Sequence, residues 1–418
     1  MRSFLASTIG AACTAALVVP LLLPGSAAAH PAPADHAARA VGEPRDRAPA
    51  SAAPRAGGVQ SLALQPLDVG MRAGGDPGST AEPAEPAGSR GLPSTDTGPY
   101  SLLGVVWSDP AEELRGRVEV RARSEATGAW SDWLELDPAA HHAPDPGTAE
   151  AGGGEVRGGT APLWVGASDG VRVRVVPERG DPAGGLPEGL SVELIDPGES
   201  EADGAPAQQV EERSAAGEHE GPRPPIVIRS GWGADEGLRE SGFVYTDTVK
   251  TVFVHHTAGG NNYSCDEAPS LIRGIYRYHV ESQGWRDVGY NFFVDKCGQI
   301  YEGRAGGVAE PVQGAHTSGF NHNSMGVAVL GTYSSTDPGR EVRDALSLLT
   351  AWKLGLHNRN PLNSNNRTSG GGTYPAGTTV RLNNVSGHRD GYATDCPGDE
   401  LYGDLPTVRE TAARLQGR

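Results

Sequence analysis

"TVFVHHTAGG", residues 251–260, is a β-branched run that ends on two histidines and then breaks on glycine. It reads as a strand. Around it strands and helices alternate. "APSLIRGIYRYHVES" puts Leu271, Ile275 and Tyr278 on one helical face, and "YNFFVDKCGQIYEGR" holds two strands around a "DKCG" turn. "MGVAVLGTY" reads as a buried strand, and "EVRDALSLLTAWKLGLH" repeats Val342, Ala345, Leu346, Leu349, Trp352 and Leu356 at helical spacing. Alternation of this kind predicts an α/β domain over residues 226–418, ample for one core.

Side chains alternate across a strand, so His255 and His256 point to opposite faces and only one of them can join a given site. A second stretch supplies the company. "VSGHRDGYATDCPG", residues 385–398, carries His388 and Cys396 in a turn-rich run. One reading is a small buried thiol beside a surface histidine. The other is a metal site of two histidines and one cysteine. Zinc accepts imidazole nitrogen and thiolate sulfur, and three protein ligands leave a position for water, the mark of a catalytic site. Spacing alone leaves both readings open.

The N-terminus reads as an export signal over residues 1–29. Arg2 gives a positive start, "AALVVPLLLP" an apolar core, and "SAAAH" a small-residue cleavage site after Ala29. The apolar run is interrupted by Pro20 and Pro24 and is shorter than a span, and no later segment is apolar enough to cross a bilayer. Cys13 has Gly10 three positions earlier, which disfavours lipid modification. It leaves with the signal, so Cys265, Cys297 and Cys396 remain in an oxidising compartment. Cys265 and Cys297 flank one helix-to-strand unit and are the natural bridge, worth about 3 kcal/mol by chain entropy. Cys396 is then free for chemistry.

Formal charge is −17, yet residues 226–418 hold about 20 acidic and 18 basic side chains. The acidity is therefore upstream, and without a basic face nucleic-acid binding is disfavoured. Residues 30–95 are Ala, Pro, Gly and charge, too poor in apolar groups to offset ordering entropy, and read as disordered. Residues 96–197 change character. Short runs such as "VEVRAR" and "VRVRVV" alternate with period two and predict a small antiparallel β domain. Trp107, Trp130, Trp133 and Trp164 read as core, with a sugar platform as the alternative. Residues 198–225 read as a linker, which implies that the downstream part folds and works alone.

The downstream motifs, from "IRSGWGADE" through "FVHHTAG", "GWRDVGYNFFVDKCGQIYEGR", "GAHTSGFNHNSMGVAVLGTY" and "GHRDGYATDCPG", closely resemble the peptidoglycan recognition proteins and the related zinc-dependent N-acetylmuramoyl-L-alanine amidases. The upstream arrangement resembles secreted actinomycete members. The resemblance implies a mixed β-sheet flanked by helices, with zinc at one end of a groove. It implies His255, His388 and Cys396 as metal ligands, Tyr290 beside the metal and the scissile carbonyl, and Thr394 as a second donor. It also implies a Cys265–Cys297 disulfide, in agreement with the cysteine arithmetic. Non-catalytic relatives usually replace the cysteine ligand, which this chain keeps.

The expected activity is hydrolysis of the amide between N-acetylmuramic acid and L-alanine, with zinc polarising the carbonyl and acidifying water and Tyr290 and Thr394 donating to the oxyanion. The alternatives are a peptidoglycan-binding protein without turnover and an enzyme of the same fold acting on another amide. His316 and Asn323 are candidate groove residues for muropeptide, with loop structure as the alternative. His279 and Trp232 read as packing residues, as do Glu302 and Arg304, with a groove role as the alternative for these two. A secreted monomer that meets peptidoglycan, but neither nucleic acid nor membrane, is expected.

Overall fold

A computed structural model describes residues 55–67, 86–138, 142–153, 155–178, 185–203 and 217–418. The expected export signal lies outside the described residues, as do residues 30–54 and 68–85 of the expected disordered segment and residues 204–216 of the expected linker.

The strand Thr251–His256 sits inside a six-stranded sheet. The strand order is Val385–Gly387, Thr251–His256, Ser324–Val329, Phe292–Val294, Ile300–Glu302 and Ile226–Val227. Thr251–His256 runs parallel to both neighbours, whereas Phe292–Val294 and Ile300–Glu302 are antiparallel around the "DKCG" turn. The sheet is therefore mixed. In that turn the Asp295 carboxylate accepts the N–H groups of Cys297 and Gln299, and Gly298 has a φ of 83°.

Every residue of Thr251–His256 is buried: two helices cover one face, and on the other Phe253 packs with Phe320 and Leu382. Val252 and Val254 pack with Val342, Leu346, Leu349 and Trp352 of helix α2 (Arg340–Leu356) and with Leu401, Leu405 and Val408 of helix α3 (Asp399–Leu415). The helical repeat read from the sequence is the buried face of α2, with Leu356 at its edge. The opposite face of the sheet, through Phe293 and Ala328, meets Leu271, Ile272 and Ile275 of helix α1 (Ala268–Arg277). The expected longer helix ends at Arg277, where it widens into a single π turn, Tyr278–Ser282.

Upstream lies an eight-stranded sheet whose pairings are all antiparallel. Part of the segment expected to be disordered is strand: Gly58–Ala63 pairs with Ser191–Asp196, and Gln65–Pro66 with the long strand Arg90–Trp107. Its apolar side chains, Leu62 and Leu64, join the core of this domain, but the alternation is short and surrounded by Ala, Pro and Gly. Trp107 is fully buried, Arg172 and Arg174 lie over the Trp133 ring, and Trp164 packs beside α1's cluster.

Besides a core cluster of its own, each sheet contributes to a third cluster that the two share. Leu102, Val106 and Ile195 of the upstream sheet pack into one cluster with Leu271, Ile275 and Tyr278. Tyr278 enters a slot that exists because two strand residues lack a Cβ: one added at Gly104 or Gly159 would stand 2.6 or 2.7 Å from the phenol oxygen. The hydroxyl donates to the Thr160 carbonyl at 3.0 Å. Residues 198–203 of the expected linker are also held, since Arg273 donates to both Asp203 carboxylate oxygens at 2.8 and 2.7 Å. The expected independence of the downstream part thus meets a shared interior. Leu102 is fully buried, so Leu102→Ala should cost about 2–5 kcal/mol. Denaturant unfolding should show one transition that shifts as a whole. Two transitions, only one of them moved by the substitution, would contradict a common core.

Candidate metal centre

Parallel register creates the centre. Val252, Phe253 and Val254 pair with Val385, Ser386 and Gly387, so the next residues of the two strands, His255 and His388, emerge side by side at the carboxyl ends. Their rings lie 4.5 Å apart. The chain then turns through His388–Asp390 and returns to bring Cys396 in from the side. Its Sγ lies 3.8 Å from His255 Nδ1 and accepts the His256 N–H at 3.4 Å. The return is pinned by the Arg389 N–H, which donates to the Cys396 carbonyl at 3.0 Å.

His256 takes no part. It points to the other face, where its Nδ1 accepts the Tyr333 N–H at 3.3 Å. His255, His388 and Cys396 are all essentially fully buried, and their donor atoms fall in a group no more than 4.8 Å across. Zn–N bonds of about 2.0–2.1 Å and a Zn–S bond of about 2.3 Å require tetrahedral N···S separations of about 3.6 Å. The donor set and the spacing both fit zinc.

Electrostatics agree with that use. Burial, then the neighbouring histidines, hold His255 well below the usual imidazole range, so its ring is neutral and a lone pair is free to ligate. Burial pushes the Cys396 thiol up, so it stays protonated until a bound cation displaces the proton to solvent. Metal uptake must therefore release a proton and weaken as pH falls.

With Nδ1 turned to Cys396, His255 directs Nε2 backwards. It meets His316 Nδ1 at 3.2 Å and Thr317 Oγ1 at 3.4 Å. His316 is therefore not on an open groove: it is fully buried behind His255, and burial holds its pKa near 3. A Cβ at Gly326 would stand 2.4 Å from its ring, so that position has to be glycine. Asn323 is also buried. It has a φ of 57°, and its side-chain oxygen accepts the Thr248 N–H at 3.2 Å.

The Tyr290 ring lies 5.4 Å from that of His255 and is 3% exposed. Burial, then the Cys396 charge, hold its hydroxyl well above the ordinary phenol range, so it remains a donor. Thr394 Oγ1 accepts the Cys396 N–H at 3.1 Å and steadies that loop. His279 stacks on Trp285, Trp232 donates to the Glu302 carbonyl, and Arg304 pairs with Glu150, all as packing. Cys265 and Cys297 are bridged, and Cys396 is the free cysteine among the described residues.

One residue was not read from the sequence. His142, from the upstream domain, is the fourth member of the cluster. Its ring lies 4.6 Å from that of His388 and 5.2 Å from that of His255, and its Nε2 is 4.0 Å from Cys396 Sγ. The signal was a histidine doublet in "HHAPD", which has no helical or strand pattern and sits over 100 residues from its partners.

Metal-ligating histidines are oriented by what their second nitrogen meets, and loss of such a partner costs about 10–100-fold in affinity. His316→Ala should therefore weaken zinc binding by about that factor while Cys396 and both ligand histidines stay in place. Competition with a chromophoric chelator reads the change. Unaltered affinity would show that His316 only fills space.

Two families match the chain. Residues 65–214 match the family described as Rv3811 N-terminal galactose-binding domain-like, and residues 245–399 match N-acetylmuramoyl-L-alanine amidase. Peptidoglycan-recognition protein SC2 of Drosophila simulans is 29% identical over 185 residues, 44% of this chain and 85% of its own length. Peptidoglycan recognition protein 1 of Mus musculus is 34% identical over 179 residues, 42% of this chain and 84% of its own. The N-acetylmuramoyl-L-alanine amidase of Homo sapiens is 32% identical over 173 residues, 40% of this chain and 25% of its own. A galactose-binding-like domain followed by a mixed sheet flanked by helices, with this kinship over the second part, places the chain in the peptidoglycan recognition protein and N-acetylmuramoyl-L-alanine amidase family.

Proposed function

We propose that this chain is a secreted zinc-dependent amidase that hydrolyses the bond between N-acetylmuramic acid and L-alanine in peptidoglycan. The observation that carries the reading is the convergence of His255, His388 and Cys396 on one buried point, with Tyr290 beside it. Family membership supports the substrate class. Export is supported by the residue pattern of the first 29 positions, and among the described residues no helix is long and apolar enough to cross a membrane.

In this reading His255, His388 and Cys396 hold the ion. Zinc there would supply Lewis-acid polarisation of the lactyl amide carbonyl and a water acidified toward neutrality. The protein's own part is positional. Neutral imidazoles and a thiolate fix the ion, and His316 fixes the His255 ring. Tyr290, kept protonated by burial, donates its hydroxyl hydrogen bond where the carbonyl oxygen gains negative charge. Thr394 holds the Cys396 backbone and keeps its own hydroxyl proton for donation.

A second reading, a peptidoglycan-binding protein without turnover, is favoured by His142, because four protein donors make a closed centre and closed zinc centres are structural. Release of muropeptides from purified peptidoglycan separates the two. Hydrolysis that stops with chelator and returns with zinc supports the amidase; binding with no released product at any zinc level supports the other.

Two substitutions test the roles. Tyr290→Phe should keep its zinc and lose about 10²–10³ in turnover; a fully active variant would remove the hydroxyl from the mechanism. Cys396→Ser should lose both zinc and hydrolysis while retaining peptidoglycan binding, since a hydroxyl is a far poorer zinc ligand than a thiolate. A serine variant that still holds one zinc per chain and cleaves normally would reduce Cys396 to a buried thiol.

A further inference from the structure

His142 reaches the centre from a segment that belongs to the upstream domain, between its strands Leu134–Leu136 and Gly158–Gly159. We infer that His142 is a fourth protein ligand of the metal, closing the ion to both water and substrate. The inference rests on the zinc reading above.

The position is built. Three residues beyond His142, Asp145 is 7% exposed, and its carboxylate accepts four hydrogen bonds from one loop of the amidase domain. The donors are the Gly319 N–H at 2.8 Å, the Asn321 N–H at 3.2 Å, the Asn321 side-chain amide at 2.7 Å and the His322 N–H at 3.3 Å. The Ala143 carbonyl accepts from the same amide group at 2.9 Å. Further on, Glu150 takes both terminal nitrogens of the buried Arg304, at 2.9 and 2.7 Å. Removing either anchor would leave buried charge or donors uncompensated, so the segment is held firmly where it lies. His142 lies just ahead of these anchors, beside the centre.

The spacing is that of a ligand. Its Nε2 stands 4.0 Å from Cys396 Sγ, and all four donor atoms lie within 4.8 Å of one another. An ion placed among them would be within reach of all four donors. With three protein ligands zinc keeps a position for water or a carbonyl oxygen; with four it has none. The His142 ring lies 5.4 Å from that of Tyr290, as close as the His255 ring does. Turnover then requires His142 to leave the ion, so this form of the enzyme is latent.

The test uses the full chain loaded with cobalt(II) in three forms: wild type, His142→Gln and His142→Cys, the last able to ligate again. Water-proton relaxation counts exchangeable water on the metal, and loss to excess chelator reports its hold. Wild type should carry no exchangeable water. His142→Gln should gain one, lose its metal about tenfold or more faster, and cleave soluble muropeptide faster when zinc-loaded. His142→Cys should restore slow release and exclude water again. A wild-type metal that already carries exchangeable water overturns the inference, as does His142→Gln with unchanged water and release rate. If no form takes up metal, the inference falls together with the zinc reading. If His142→Gln gains its water yet nothing is ever cleaved, His142 stands as the closing ligand and the amidase reading falls.

Discussion

The parallel pairing of Thr251–His256 with Val385–Gly387 is the constraint on which the rest depends. It sets two histidines, 133 positions apart in the chain, at neighbouring strand ends. Parallel strands require long crossovers, and the intervening chain supplies α1, the antiparallel pair around Asp295, and α2. The centre therefore lies outside the carboxyl ends of the parallel strands, where open α/β sheets place their ligands. A one-residue slip would send His256 to the ligand face and His255 into the packing beneath α2 and α3.

Burial then does two jobs with one cause. It holds the His255 imidazole neutral and the Cys396 thiol protonated, so neither carries a charge until a cation arrives. It also strengthens each polar contact around the site, which is why His316 and Thr317 can orient His255 and the Arg389 turn can orient Cys396. The same packing joins the two domains. Tyr278 in its glycine-lined slot and Glu150 on Arg304 fix the upstream sheet against the amidase, and from that fixed frame His142 arrives. The upstream domain is therefore a part of the centre's geometry rather than a spacer.

What local pattern encodes was legible in the residues. The buried run of Thr251–His256, the apolar repeat of α2 and the "DKCG" turn each fold as their own sequence dictates. The opposite facing of His255 and His256 also followed, because alternation is a property of any strand. Long-range meetings were not legible. Leu62 and Leu64 lie in a short alternating run whose partner strand comes 130 residues later, so composition outweighed it. The helix α1 pattern did not reveal that Tyr278 belongs to another domain's core. His316 and Asn323 carry polar side chains in a glycine-rich loop, which looks like a groove from sequence and is in fact a buried brace and a left-handed turn. His142 stood in an irregular acidic segment, and its meaning arises only from where Asp145 and Glu150 are anchored.

The central claim is that one ion is held by three residues of the amidase domain and one of the upstream domain. X-ray absorption at the zinc edge of the full chain in solution tests it most directly. The account predicts one sulfur scatterer at about 2.3 Å and three nitrogen scatterers at about 2.0–2.1 Å. Outer-shell imidazole scattering from only two histidines, or a first shell without sulfur, would contradict it.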